Sequence, residues 1–144
     1  MSYSLDANVL LFASDRTSGR HDAARDFLES CAASPEVLCV TWPTIMAYLR
    51  IATHPSIFAA PLTPEQALAN VNALLALPQT RPVSEQDGFM DAYLHVTAST
   101  TVRGNLVPDA HLAAILFQNG VRTLYSNDRD FRKFESLDVR DPFA

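Results

Sequence analysis

Strand-like runs of four or five residues alternate along this chain with segments whose apolar side chains recur every three or four positions, and no other feature constrains the fold as tightly. Residues 37–40, Val-Leu-Cys-Val, are wholly apolar, as a strand buried on both faces would be. Residues 2–5 read as an opening strand and 121–125 as a later one; 81–84 read as a weaker strand and 137–139 as an edge strand. Between them lie helices. Asp6-Ala-Asn-Val-Leu-Leu-Phe is a turn running into a helix, with Asp6 as the N-cap. In 21–33, Ala24, Phe27, Leu28 and Cys31 mark one face, and Ser34-Pro35 ends the helix. Thr41 caps a third helix with Pro43 in its first turn and Ile45, Met46, Leu49 and Ala52 facing inward; it stops before His54-Pro55. After a loop at 55–61, Thr63-Pro64-Glu65-Gln66 opens a helix that reaches Leu77. A helix at 86–101 follows, and Val107-Pro108-Asp109 opens the most hydrophobic one, 110–118, which Asn119-Gly120 closes.

Strands alternating with helices of this length predict a parallel sheet covered on both faces. With 48% hydrophobic residues in 144, one core can be filled without crosslinks. The expected architecture is a single-domain three-layer α/β/α sandwich around a central, mostly parallel sheet. The two cysteines, Cys31 and Cys39, are too few for a disulfide framework and read as buried thiols. The apolar stretch 5–13 contains Asp6 and Asn8 and follows no basic residue, and no run is long enough to span a bilayer. A cytoplasmic protein with no membrane association is expected.

In such a sheet, functional side chains collect beyond the carboxyl ends of the strands. Asp6 follows the first strand, Asp128 and Asp130 follow the strand at 121–125, and Asp109 starts the helix leading into that strand. Each alone suits a helix cap or a loop as well as it suits a ligand. Together they can form an oxygen-only cluster, which suits Mg²⁺ or Mn²⁺, since carboxylates crowded without a cation raise one another's pKa. The net charge of −5 argues against a general nucleic-acid coat, yet an ion among clustered acids offsets much of their field. Ten of the eleven cations are Arg, which suits bidentate phosphate contacts, and Lys133 is the one lysine.

Leu5-Asp6-Ala7-Asn8-Val9-Leu10-Leu11, Asp109-Ala110-His111-Leu112-Ala113-Ala114 and Ser126-Asn127-Asp128-Arg129-Asp130-Phe131, in that order and spacing, resemble the PIN-domain nucleases, and among them the VapC-type toxins of type II toxin–antitoxin systems. Thr41-Trp42-Pro43 with Leu49-Arg50-Ile51-Ala52-Thr53-His54-Pro55 resembles one branch of that group. The resemblance implies a PIN-like fold and a metal-dependent endoribonuclease, in which a metal-activated water hydrolyses RNA phosphodiester bonds. It implies a cognate VapB-type antitoxin as partner and a homodimer. Residue by residue, it makes Asp6 and Asp109 Mg²⁺ or Mn²⁺ ligands and catalytic, Asp128 an outer or second-metal acid and Asp130 an auxiliary one. Asn8 and Ser126 would orient the acids and the attacking water.

The chain departs from the family pattern at Ala47, where relatives place a glutamate, and no Glu occurs between Glu36 and Glu65. That leaves a second reading open, a binding module that has lost catalysis. A third, a phosphatase with an aspartyl nucleophile, wants an acid where Asn8 stands. Arg50 and Arg103 are candidates for phosphate contacts or for solvated surface. His111 faces away from Asp109 on the helix and is expected to pack or to sit at the surface. Trp42 reads as a core or interface residue, with base stacking as the alternative. Phe58, Leu62 and Leu68 in the 55–77 segment exceed what a small core needs and are expected to meet an antitoxin or a second copy.

Overall fold

The computed structural model describes residues 1–144. Five strands, β1 (Ser2–Leu5), β2 (Val37–Thr41), β3 (Thr80–Val83), β4 (Thr123–Tyr125) and β5 (Asp138–Arg140), form one sheet in the order β3-β2-β1-β4-β5. Every pairing is parallel, including the edge pair β4–β5. The helices are α1 (Ala7–Ser14), α2 (His21–Ala33), α3 (Trp42–Ala52), α4 (Pro64–Leu75), α5 (Phe89–Val96) and α6 (Leu106–Gln118), with a 3₁₀ helix at Arg129–Lys133.

The alternation of side chains along β2 separates the layers. Leu38 and Val40 belong to a core formed with α1, α2, α3 and α4, whereas Cys39 belongs to a second core formed with α5, α6 and the 3₁₀ helix. The strand order gives the reason. The chain steps from β1 to β2 to β3 in one direction, then returns past β1 to β4 and β5. Right-handed crossovers therefore place α1–α4 on one face and α5–α6 on the other. Connections leaving β1 and β4 diverge to opposite faces, which opens a crevice between the carboxyl ends of these two strands. Both cysteines are buried and free, as the composition indicated. Pro82 is accommodated because β3 is an edge strand.

Local chemistry sets the helix starts. Thr41 accepts the Thr44 N–H at 3.2 Å and Pro43 lies in the first turn of α3. Thr63 and Gln66 exchange bonds of 3.1 and 2.9 Å in a capping box ahead of α4.

Several expectations need correction. The helix expected at 86–101 spans only Phe89–Val96, because Gly88 takes a left-handed φ of 77° before it and threonine-rich chain follows it. The last helix starts at Leu106, so Pro108 is its third residue, where the missing N–H has no intrahelical partner to lose. The strand expected at 121–125 is confined to Thr123–Tyr125, since Val121 is still bonded back to Leu116. The edge strand falls one residue later than 137–139. The loop after β4 closes into the 3₁₀ helix. Met46 is 56% exposed while Tyr48 takes the buried position on α3, a phase error along one turn. Phe58 is core rather than surface; Leu68 is exposed, as expected.

Candidate active site

Asp6 is where β1 becomes α1, and both neighbours fix it. Its backbone N–H donates to the Tyr125 carbonyl at 3.2 Å, at the end of β4, and its Oδ1 accepts the Val9 N–H at 3.3 Å as the cap of α1. The Ser126 hydroxyl donates to the other oxygen, Oδ2. Ser126 is itself buried and tied to β5 through its N–H to the Arg140 carbonyl, 2.9 Å away. The same Oγ accepts the Asp128 N–H at 2.9 Å, and Asp128 Oδ1 accepts the Asp130 N–H at 2.9 Å as the cap of the 3₁₀ helix. One run of hydrogen bonds therefore leads from the buried Asp6 out to the exposed Asp130.

Asp109 arrives from the other layer. It is the fourth residue of α6, past the capping position, and it is half-buried. Its carboxylate accepts no hydrogen bond from the protein, so the capping role left open for it in the sequence does not apply. Carboxylate oxygens of Asp109, Asp128 and Asp130 all lie within 4.8 Å of one another. Burial pushes the Asp6 carboxyl up to about 6, against the Ser126 hydroxyl and Val9 amide that favour its charged form; the charge on Asp128 adds to the rise. Asp109 is also pushed up to about 6, first by burial and then by the charges of Asp128, Asp130 and Asp6.

Such an arrangement could hold a cation. All the donors are carboxylate or hydroxyl oxygens, and the carboxylates hold more negative charge than the site stabilises by itself. A hard divalent cation matches both properties.

The remaining candidates separate clearly. Asn8 is exposed, and its backbone amide rather than its side chain faces Asp6. Arg103 is exposed in the turn before α6, at the end that carries Asp109. Arg50 is exposed in the last turn of α3, the end remote from the strand tips. His111 bonds Glu85 at 3.0 Å and packs edge-on against Phe89, away from the acids. Trp42 is not core: it is 41% exposed at the start of α3. Ala47 is partly buried and offers no donor.

Sequence reasoning missed Lys133. Its ammonium lies 3.1 Å from Asp130 and moderates the rise at Asp109. A signal was present: Phe131 and Phe134, both buried, follow the capping Asp128 at a spacing of three, the period of a 3₁₀ turn.

Among known proteins, ribonuclease VapC48 of Mycobacterium tuberculosis is 44% identical over 144 residues, covering all of this chain and 99% of the relative. Ribonuclease VapC37 of the same species is 32% identical over 133 residues, with 92% of each covered. Two solved structures share the fold at lower identity. VapBC2 of Rickettsia felis bound to a promoter DNA fragment matches with a TM-score of 0.70 at 15% identity, covering 98% of each chain. The sarcin–ricin-loop-cleaving toxin VapC20 of M. tuberculosis matches at 0.67 and 14%, covering 94% of this chain and 98% of that one. No family model matches the chain.

Proposed function

This chain belongs to the VapC family of ribonuclease toxins, and from that premise we propose that it is an endoribonuclease dependent on Mg²⁺ or Mn²⁺, held by Asp6, Asp109 and Asp128. Asp130 serves as an auxiliary acid at the exposed rim. The observation that carries the reading is the convergence of Asp109, Asp128 and Asp130 within 4.8 Å of one another, with Asp6, whose carboxyl burial raises to about 6, linked to Asp128 through Ser126. A divalent cation bound there supplies charge to a phosphoryl oxygen and acidity to a water. The chain's own groups do the rest. Ser126 holds Asp6 in one orientation and, through the Asp128 amide, sets the loop that presents Asp128. Asp109, free of protein donors, is left to bind or to accept a proton. Lys133 and Arg103 lie where they can meet the RNA phosphates.

Ala47 leaves the site one carboxylate short of the family pattern, which keeps the catalytically silent binding module as the second reading. Cleavage of a single-stranded RNA in Mg²⁺ or Mn²⁺, abolished by chelator and by Asp109→Asn, supports the nuclease. Tight RNA binding without turnover at any metal concentration supports the module.

The partner reading follows the same premise. A groove of about 590 Å³ lies between α1, α2, α3 and α4, with Leu28, Leu62 and Leu74 in its walls and, among its charged lining residues, Arg16 and Arg25 against Glu29. Its chemistry fits an apolar segment with acidic flanks, and we assign it to the VapB-type antitoxin. The exposed Met90 and Leu94 of α5 are the surface offered to a second copy in a homodimer. No helix is long and apolar enough to cross a membrane.

A further inference from the structure

We propose that Trp42 is a stacking platform for a base of the RNA substrate, placed beside the carboxylate cluster; the inference rests on the ribonuclease reading above. The register of β1 against β2 pairs Ser2 with Val37 and Tyr3 with Leu38. Continued to the strand ends, it sets Thr41 alongside Asp6. Thr41 caps α3 and Trp42 is that helix's first residue. The backbone at Trp42 therefore leaves the sheet at the edge that carries the acids, next to the strand that ends at Asp6, about one strand spacing of 4.8 Å away.

Part of its surface is open to solvent. Trp42 is 41% exposed and Met46, one turn further on, is 56% exposed, so the two form a continuous apolar shelf. Trp42 stacks on no other ring, carries no cation and makes no hydrogen bond, which leaves its face and its indole N–H free. The other exposed large aromatic, Phe117, is 42% exposed but lies eight residues along α6 from Asp109, about 12 Å away. It is already stacked on His95 at 4.5 Å. Of the aromatics, Trp42 alone is exposed, unpartnered and at the acidic edge.

Its neighbours decide what it meets. An acidic edge disfavours extra phosphate that no cation offsets, and an apolar shelf offers a phosphate nothing. A planar, uncharged base suits both conditions, and the flexible Met46 thioether adapts to whichever base arrives. Arg50, exposed about two turns further along α3, supplies charge for the backbone of a strand that continues along the helix. The favoured substrate is unpaired RNA, since a base must leave its stack to lie on the indole.

The chain has one tryptophan, so its emission reports on this site alone. Asp109→Asn protein, silent in cleavage on the proposed mechanism, is titrated with a short single-stranded oligoribonucleotide and with a duplex of the same length. Saturable quenching by the single strand, with little by the duplex, is expected. In the otherwise native protein, Trp42→Ala and Trp42→Leu should each raise KM for a single-stranded substrate about tenfold while kcat stays within about twofold, and Trp42→Phe should restore most of the loss. Trp42→Leu keeps the shelf apolar and removes only the stacking ring. If the native protein cleaves RNA but emission is unmoved and KM is unchanged in the Ala and Leu variants, the stacking role is overturned and the nuclease stands. An emission shift that follows protein concentration without RNA, together with a monomeric Trp42→Ala variant in sedimentation, assigns the shelf to a second copy and overturns it likewise. Absence of both cleavage and quenching in native protein overturns the nuclease reading and this inference with it.

Discussion

Asp6 and Asp109 are raised to the same pKa of about 6, yet the protein treats them differently. Asp6 is buried and held by Ser126 and by the Val9 amide, both groups that favour its charge. Asp109 is half-exposed and receives no hydrogen bond; after burial, its main surroundings are other carboxylates. One acid is built into the strand ends, and the other is left for something that is not protein. On the ligand roles proposed above, the contrast would make the site both rigid and open: the preorganised acid lies at the switch crevice, and the uncommitted acid arrives on a helix from the opposite layer. Carboxylates on the two sides should respond differently to perturbation.

The largest expected effect does not separate them. Asp6→Asn and Asp109→Asn should each lower RNA cleavage by about a thousandfold, equivalent to about 4 kcal/mol of transition-state stabilisation. Far-ultraviolet circular dichroism should be unchanged, because Asn replaces the Asp6 cap well and Asp109 caps nothing. A gel-based cleavage assay in excess Mg²⁺ checks this; near-native cleavage by either variant would remove that residue from the proposed ligand set.

Ser126→Ala is where the two sides should divide. It strips the buried Asp6 of its hydroxyl donor and the Asp128 amide of its acceptor. A loss of about 2 kcal/mol is expected, seen as a fall of about 7 °C in melting temperature. The exposed counterpart, Asp130→Asn, loses only a surface pair with Lys133 and should change stability by less than about 0.5 kcal/mol. Cleavage should fall more for Ser126→Ala than for Asp130→Asn. Similar melting temperatures for both variants would mean that the hydrogen-bond run from Asp6 outward contributes little.

These contrasts were only partly legible in the sequence. The strand at 37–40 and the helix at 21–33 could be read because apolar periodicity there is undiluted, and Asp6, Asp109, Asp128 and Asp130 stood at predictable strand ends. The start of α6 was misread because Pro108 looked like a first-turn signal, whereas the first turn admits proline at its third residue too. The short α5 was hidden because apolar spacing within Phe89–Val96 does not mark the helix's ends, and the left-handed φ of Gly88 does not register in periodicity. Lys133 was missed because the Asp128, Phe131 and Phe134 spacing, a single 3₁₀ turn, repeats its period too few times to stand out. What no local pattern contains is the tertiary packing that leaves Asp109 without a donor while adding the distant Ser126 hydroxyl to the local Val9 cap at Asp6.

The smallest expected effect tests the open side directly. Both acids have an ordinary value of 3.8 and a folded value of about 6, so the folded protein holds more protons than the unfolded chain between these limits. The sign follows: without metal, these groups cause stability to fall as pH rises from about 4 to about 6, and the loss is complete above that window. Asp109→Asn removes its share of the repulsion. It should melt slightly higher than the native protein at pH 7 in chelator and converge with it at pH 4; because Asp109 is half-exposed, solvent screens much of the difference. Added Mn²⁺ binds the folded native protein and should restore about 1.4 kcal/mol at ten times its dissociation constant, a rise of about 5 °C. The variant should gain clearly less at the same concentration. The measurement is four melting curves, with chelator and with Mn²⁺ for each protein. Equal metal-induced gains would show that the half-exposed acid takes no part in holding the cation. The functional weight would then shift to Asp6 and Asp128, the two acids tied together through Ser126.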